Sequence, residues 1–432
     1  MAAIFKVYDN SRWSICIILL IPLTIIVYNA CVIPIDNIYD VWGHLEYMKF
    51  FAAGGDGWIQ LYDATASMYS PIYYYFGAVL IYLFKMTDNQ VVTCIQFFNI
   101  ISYMVFLYCV IHIYFKLYEK DIYYDFIFII TLTVIPNLYL FNAMIRPEAP
   151  FYVLIPIFII FYNKTYSLFN TLMMFIIVLL ISLVKHSGLC LLPVFLILMF
   201  LKMHNAKINL KKTVVLTLLL TICASSFYIS RAVKFGHLMP PSAPSLLLYK
   251  NSDAALDRVA LFSNMEFLAL WETPNRRASF ANGNNSVFPR LYGDMWGDHW
   301  LYFSGDKLVE TKTTFKRIAF IIGIPFTLLL IGSIFFGSWT FIISAARRQI
   351  PSIPELGAVL SGAVFLFLML AIYIHPESGK NGMVKFTYIM PTVLFAGFAM
   401  QEIIRRFVHK KIYALYFCLL FATCLPLYVF TK

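Results

Sequence analysis

Long apolar runs broken by short polar or basic segments dominate the chain. Many approach the ~20 residues that a helix needs to cross a ~30 Å hydrocarbon core. Spanning segments are expected at 14–33, 91–115, 123–142, 149–163, 167–184, 187–201, 213–230, 317–343, 355–374, 386–403 and 412–430. One further apolar stretch, 71–86 (PIYYYFGAVLIYLFKM), is short for a span. Loop charge decides it. The loop 202–212 carries Lys202, Lys207, Lys211 and Lys212 with no acid, and Arg347–Arg348 and Arg405, Arg406, Lys410 and Lys411 form two more basic loops. Lys6 and Arg12 outweigh Asp9 near residue 1. Basic loops stay cytoplasmic, and all four segments fall on that side only if 71–86 does not cross. The pattern therefore predicts an all-α polytopic membrane protein of about eleven transmembrane helices plus an interfacial helix at 71–86.

Composition agrees. Hydrophobic residues make up 61% and charged residues 13%, against ~25% charged in ordinary globular chains. That excludes a nucleic-acid binder, a secreted disulfide scaffold and a disordered chain. The net charge of +11 reads as the orienting charge of cytoplasmic loops rather than as the mark of an anionic partner. All eight cysteines lie in or beside apolar blocks, which indicates neither a disulfide framework nor a thiolate metal site. The run 14–33 is long for a cleaved signal and is expected to remain as an anchor.

This topology collects the polar chemistry on the outer side, in segments 34–70, 143–148, 185–186, 231–316 and 375–385. In the first, Asp36, Asp40, Glu46, Asp56 and Asp63 oppose a single Lys49. A helix over 38–52, ended by Gly54 and Gly55, places Asp40 and His44 one turn apart on one face. Such a pair suits removal of a proton from a hydroxyl; a merely acidic outer loop accounts for it equally well. The second segment holds RPEAPF, where Arg146 and Glu148 lie between two apolar blocks. Charges at that depth point to function, although a short loop with snorkelling side chains is the plain alternative.

Lys185 and His186 sit at the outer end of a span, and His375, Lys380 and Lys385 precede Tyr388 and Pro391. Short outer loops are normally poor in lysine, so these residues suit either a phosphate at the membrane surface or simple snorkelling. The long segment 231–316 contains LYGDMWGDHWLYF, which suits a cover over a carbohydrate or a stretch lying on the bilayer. Its Asp294, Asp298 and His299 match no strong metal-ligand spacing, and no metal is expected. Asn284-Asn285-Ser286 is an outward sequon, usable only in a eukaryote.

Taken in order, these features resemble the GT-C class of multispanning glycosyltransferases that use lipid-phosphate-linked sugars, most nearly the protein O-mannosyltransferase and lipid A aminoarabinose transferase group. The resemblance covers residues 10–200 and 375–395. It rests on Asp40 followed by Gly55, Asp56 and Trp58, and on the aromatic helix YSPIYYYF with Pro71. It rests further on RPEAPF with Glu148, on VKHSGL with Lys185, and on KFTYIMP with Lys385, Tyr388 and Pro391. Two positions depart: Ser70 stands where the aminoarabinose enzymes carry a phosphate-binding lysine, and Glu148 stands where Asp is common. The chain lacks a large soluble carboxy-terminal domain, which argues against an oligosaccharyltransferase subunit.

The resemblance implies a GT-C-like fold with a long outer-face loop. Residues 1–230 would form the catalytic membrane module around loop 34–70, 231–316 an extracytoplasmic region, and 317–432 the remaining membrane helices. It implies transfer of a sugar from a polyprenyl- or dolichyl-phosphate donor to a hydroxyl of a lipid, glycan or protein. Asp40 and Glu148 would be catalytic, with Asp40 as general base. His44, Arg146, Lys185, His186, Lys380, Lys385 and Tyr388 would bind substrate. No cofactor beyond the donor co-substrate, no nucleic acid and no obligate protein partner are expected. Two other readings stay open: a flippase for lipid-linked sugars, and a glycan polymerase or ligase leaning on Arg276, Arg277 and Arg290. The richness in Ile, Phe, Tyr, Lys and Asn suggests an AT-rich genome and does not separate a bacterial plasma membrane from an endoplasmic reticulum. The lack of a retrieval signal gives the expectation of a bacterial plasma membrane, and the topology that of an extracytoplasmic site.

Overall fold

The computed structural model describes residues 13–35, 41–56, 71–208, 210–235, 258–263, 265, 267–272, 287–297, 309–374, 386–407 and 409–429. All regular structure among them is helical. A 3₁₀ lead-in, Ser14–Leu19, runs into α1 (Leu20–Val32). There follow α2 (Val41–Ala52), α3 (Ile72–Phe84), α4 (Asp88–Leu117), α5 (Ile122–Thr131), α6 (Pro136–Phe141), α7 (Ala149–Asn163), α8 (Leu168–Val184), α9 (His186–Asn205) and α10 (Leu210–Phe235). The long loop contributes α11 (Arg258–Ser263), α12 (Phe267–Glu272) and α13 (Val287–Trp296). Last come α14 (Val309–Ala346), α15 (Ile353–Ile374), a 3₁₀ turn at Phe386–Tyr388, α16 (Met390–Phe407) and α17 (Lys410–Tyr428).

Helix starts follow from local chemistry. The Thr87 N–H donates to Gln90 Oε1 at 2.9 Å in a capping box that opens α4. Asp121 accepts from the Tyr123 N–H at 3.0 Å to open α5, and Ser167 Oγ accepts from the Asn170 N–H at 3.1 Å to open α8. At the end of α2 the Gly54 N–H bonds Phe51 O and the Gly55 N–H bonds Phe50 O. Gly54 has φ +87°, a conformation that a side chain would strain, so the Gly54–Gly55 pair stops the helix as expected.

Seven helices among the described residues are long and apolar enough to cross a membrane: the stretches Ile15–Val32, Asp88–Leu117, Ser187–Asn205, Val214–Lys234, Lys312–Ala346, Ile353–Tyr373 and Lys410–Tyr428. The other four expected segments are also helical but shorter, broken or more charged. α7 and α8 have 15 and 17 residues, about 22 and 25 Å of rise. α16 carries Glu402, Arg405 and Arg406 in its last turns. The expected single helix over 123–142 is broken into α5 and α6. Pro136 has no N–H to donate, and its ring forces Ile135 to extended geometry (φ −74°, ψ 116°). α3 spans 13 residues, roughly 20 Å and too short to cross.

Breaks in a helix at membrane depth free backbone groups that lipid cannot satisfy. Here tyrosines take them. Tyr103 Oη donates to Leu132 O at 2.9 Å, Tyr139 Oη to Thr133 O at 2.8 Å and Tyr428 Oη to Val134 O at 2.6 Å. In α14, at Pro325, the Tyr416 hydroxyl donates to Ile322 O at 2.8 Å and accepts from the Phe326 N–H at 3.0 Å. It bridges the rung of the helix ladder beside the proline.

The bundle has two unlike ends. At one, the basic loops meet: Lys410 pairs with Asp121, Tyr118 donates to Glu402 at 3.3 Å, and Asn205 Nδ2 donates to Arg348 O at 3.2 Å. Lys202 caps the end of α7 through the carbonyls of Phe161, Tyr162 and Lys164. At the other end, α2 and α3 pack on each other and on the start of α4 around Leu45, Met48, Tyr74, Val91 and Ile95. This second core also takes in Ala143, Met144 and Ile145.

Tyr416→Phe should lower unfolding stability in detergent by about 1–3 kcal/mol, because it strips two bonds from buried backbone at Pro325. A thermal melt against wild type measures it. An unchanged midpoint would mean that the α14 rung closes without the hydroxyl.

Candidate active site

The RPEAPF segment is not a surface loop. Every residue from Ile127 to Ala149 is buried. α4 holds the turn in place: Gln96 Nε2 donates to Ala143 O at 2.7 Å, and Asn99 Nδ2 donates to Met144 O. From α3, the Tyr73 hydroxyl accepts the Arg146 N–H at 3.2 Å. All three side chains lie in apolar blocks; Tyr73 belongs to the aromatic run YSPIYYYF, whereas nothing in the sequence analysis singled out Gln96 and Asn99. Gln96 and Asn99 are polar positions inside a spanning segment, which is the signal that marks them.

Glu148 stands just before α7 and is 1% exposed. Its cationic partner is not its neighbour Arg146 but Lys185, itself 2% exposed, whose Nζ pairs with Glu148 Oε1. Arg146 instead turns its guanidinium toward Met144 Sδ (3.2 Å) and the Phe141 ring (5.8 Å to the centroid). Lys185 is the single extended residue (φ −157°, ψ 153°) between α8 and α9. That reversal is tight: a Cβ at Gly188 would lie 1.9 Å from Ile181 O, so only glycine lets α9 start so close to α8.

The same Nζ lies 4.3 Å from the centroid of the Tyr388 ring, a cation–π contact. Tyr388 is placed by the long loop. Asp294 Oδ2 accepts the Phe386 N–H at 2.7 Å, and Asn137 Nδ2 donates to Asp294 O at 2.8 Å. α13 is thus sewn into the end of the bundle, with Trp296 Nε1 donating to Thr327 Oγ1 at 2.9 Å. Of the arginines considered for a polymerase, Arg290 is buried on α13, and burial pushes its guanidinium down to about 10, still charged at neutral pH. Arg276 and Arg277 lie outside the described residues.

Among the residues expected in the site, the structure joins Glu148, Lys185 and Tyr388 directly and holds Arg146 in the adjoining turn. His44 lies on α2, with Nδ1 2.9 Å from the Tyr74 hydroxyl and the two rings stacked at 5.7 Å. Tyr73 and Tyr74 pack edge to face at 5.4 Å and so connect His44 to the Arg146 turn. Burial holds the Tyr73 phenol well above its ordinary pKa, which keeps its hydroxyl neutral. His186 is the first residue of α9. Asp40, Lys380 and Lys385 lie outside the described residues. Among the described residues no group of three or more His, Cys, Asp or Glu side chains converges.

Glu148 Oε2 can accept a further hydrogen bond. It is buried and has no hydrogen-bond partner among the described residues. Buried polar groups usually have a partner, and a bare one is costly; Asn99 Oδ1 and Ser187 Oγ are unbonded among the described residues as well. The pair therefore sets a buried carboxylate oxygen that can accept a hydroxyl beside an ammonium that lies on an aromatic face.

No protein-family profile matches the chain, and no curated protein matches it. Among solved structures it is similar to an oligosaccharyltransferase from Archaeoglobus fulgidus, crystallised with zinc and sulfate. That similarity has 13% identity and a TM-score of 0.48, over 96% of this chain and 53% of the other. The chain spans about half the length of that protein.

Lys185→Met should cost about 3–5 kcal/mol by leaving Glu148 charged and buried without its partner. The double variant Glu148→Gln, Lys185→Met should recover most of that loss. Melting temperatures of the single and double variants test this. A double variant as unstable as the single would mean that the ion pair is not what Lys185 contributes.

Proposed function

We propose that the protein is a glycosyltransferase that moves a sugar from a polyprenyl- or dolichyl-phosphate donor to a hydroxyl acceptor at the extracytoplasmic membrane face. The observation that carries this is the buried Glu148–Lys185–Tyr388 cluster with Glu148 Oε2 unbonded. A membrane-embedded carboxylate beside an ammonium is costly to maintain and matches what sugar transfer from a lipid phosphate asks for. The motif order around Asp40, Glu148, Lys185 and Tyr388 supports the same reading.

In this scheme the acceptor oxygen attacks the anomeric carbon, and the bond from that carbon to the phosphate oxygen breaks with inversion. The acceptor proton goes to the Asp40 carboxylate, with Glu148 Oε2 orienting the hydroxyl and His44 supporting the same wall. The electron pair leaves on the lipid phosphate. Lys185, Arg146 and Lys385 offset the charge that develops there, and Lys380 and His186 add to the positive rim. Tyr388 offers a flat face beside Lys185 for the sugar or the phosphate. A lipid phosphate is a good leaving group, so the scheme asks for neither a strong general acid nor a metal. The expected location is a bacterial plasma membrane.

The flippase reading expects broken helices whose free backbone groups line a path. The break between α5 and α6, within the expected span 123–142, has the carbonyls of Leu132, Thr133 and Val134 occupied by tyrosine hydroxyls. That weighs for the transferase.

Membranes containing the wild type should transfer radiolabelled sugar from a polyprenyl-phosphate donor. At matched expression Asp40→Asn should lose on the order of 10²-fold or more of that transfer. Equal transfer by both would remove Asp40 as the base. No transfer from any donor would overturn the reading in favour of a flippase or a polymerase.

A further inference from the structure

At the opposite end from Glu148 lies a cavity of ≈ 1140 Å³ between the ends of α4, α7, α14, α15 and α16. It is larger than the ~300–1,000 Å³ of ordinary small-molecule pockets. Lys116 at its mouth is seventeen residues beyond Asn99 on α4, roughly 25 Å along the helix. The cavity is therefore distinct from the candidate active site.

Its lining divides by polarity. Ile113, Ile160, Gly337 and Ala399 form apolar walls, and Tyr108 and Phe336 on its border are exposed on the outside of the bundle, so the cavity opens sideways toward lipid. The mouth carries Lys116, Lys164 and Arg406 with Glu355 and Glu402. Both acids accept hydrogen bonds, but only Glu402 has a cationic partner, Arg406. Glu355 accepts from Ser344 Oγ at 3.0 Å and from the Ser352 N–H at 2.6 Å, which caps α15. Glu402 accepts from Arg406 at 2.8 Å and from Tyr118 at 3.3 Å. Lys116 makes no hydrogen bond or ion pair among the described residues. The Lys164 ammonium lies 4.6 Å over the Phe161 ring and meets no carboxylate among them. Three basic side chains against two carboxylates leave the lining with a net charge of +1, and Lys116 and Lys164 are the two cations in it that meet no carboxylate among the described residues, on the side that loop charge marks as cytoplasmic.

We propose that this cavity binds one anionic glycerophospholipid of the cytoplasmic leaflet, with its phosphate at Lys116 and Lys164 and an acyl chain along the apolar walls. Charge complementarity selects the occupant: basic pockets between membrane helices on this side take anionic headgroups, and the sideways opening admits a chain from the bilayer. Each lysine near such a headgroup strengthens binding by roughly 5-fold, so the two together give a preference that one experiment can read.

The test titrates the delipidated full-length protein with phosphatidylglycerol or phosphatidylcholine of matched chains and counts bound lipid by native mass spectrometry. Wild type should bind phosphatidylglycerol about 10-fold or more tighter than phosphatidylcholine. Lys116→Glu with Lys164→Glu, both on exposed side chains, should abolish that preference at an unchanged melting temperature. Thr340→Phe, which fills the chamber, should weaken both lipids. Equal affinity for the two lipids in the wild type, or a preference that survives charge reversal, overturns the site. Polyprenyl phosphate displacing phosphatidylglycerol at equal concentration overturns the assigned occupant. None of these outcomes depends on sugar transfer.

Discussion

Inside a bilayer no water is at hand to bond a bare peptide group, so every N–H and C=O at that depth needs a partner within the protein. Most of this chain meets the demand by being helical. The exceptions carry the architecture. Where Pro136 stops α5, the hydroxyls of Tyr103, Tyr139 and Tyr428 take the carbonyls of Leu132, Thr133 and Val134. At Pro325, inside α14, Tyr416 spans the neighbouring rung. Tyr139 and Tyr428 also stack face to face at 3.8 Å, so the same side chains seal the backbone and fill the core. Helices four turns long or less are tolerable here because their ends are closed by partners from distant parts of the chain.

That closure makes room for an irregular segment where an ordinary bundle would have a solvated loop. Residues 142–148 are buried throughout, held by Gln96, Asn99 and Tyr73, and they deliver Glu148 to the extended break at Lys185. A buried ion pair stabilises little and often less than an apolar substitute. In the proposed function its place is chemical: it stands at the end of the bundle with one carboxylate oxygen unbonded. α13 completes the arrangement from the outside, since Asp294 fixes the turn that lays Tyr388 against Lys185.

The two ends of the bundle divide the work of charge. At one, Glu148 and Lys185 are buried and paired with each other. At the other, charges are many and exposed, set among loops, with a chamber between helix ends. Basic loops fix orientation, and the buried pair at the other end is the one on which the proposed transfer rests.

Hydrophobic run lengths and loop charge by themselves determined the all-helical membrane architecture, the non-spanning helix at 72–84, the stop at Gly54 and the common end for the loops around Lys202, Arg348 and Lys410. Those properties are local, or sum over residues close in sequence, so they can be read without contacts. The sequence also pointed to Glu148, Lys185 and Tyr388 singly, because charge and aromatic groups at span ends are unusual. Only the tertiary structure decided that the three meet, that Lys185 rather than Arg146 neutralises Glu148, and that Asp294 positions Tyr388. It also decided that Gln96 and Asn99 are struts and that segment 123–142 is two helices sealed by tyrosines. Each of these is a contact between residues tens to hundreds of positions apart. Such contacts are set by how helices pack against one another, and no periodicity or composition along the chain encodes that register.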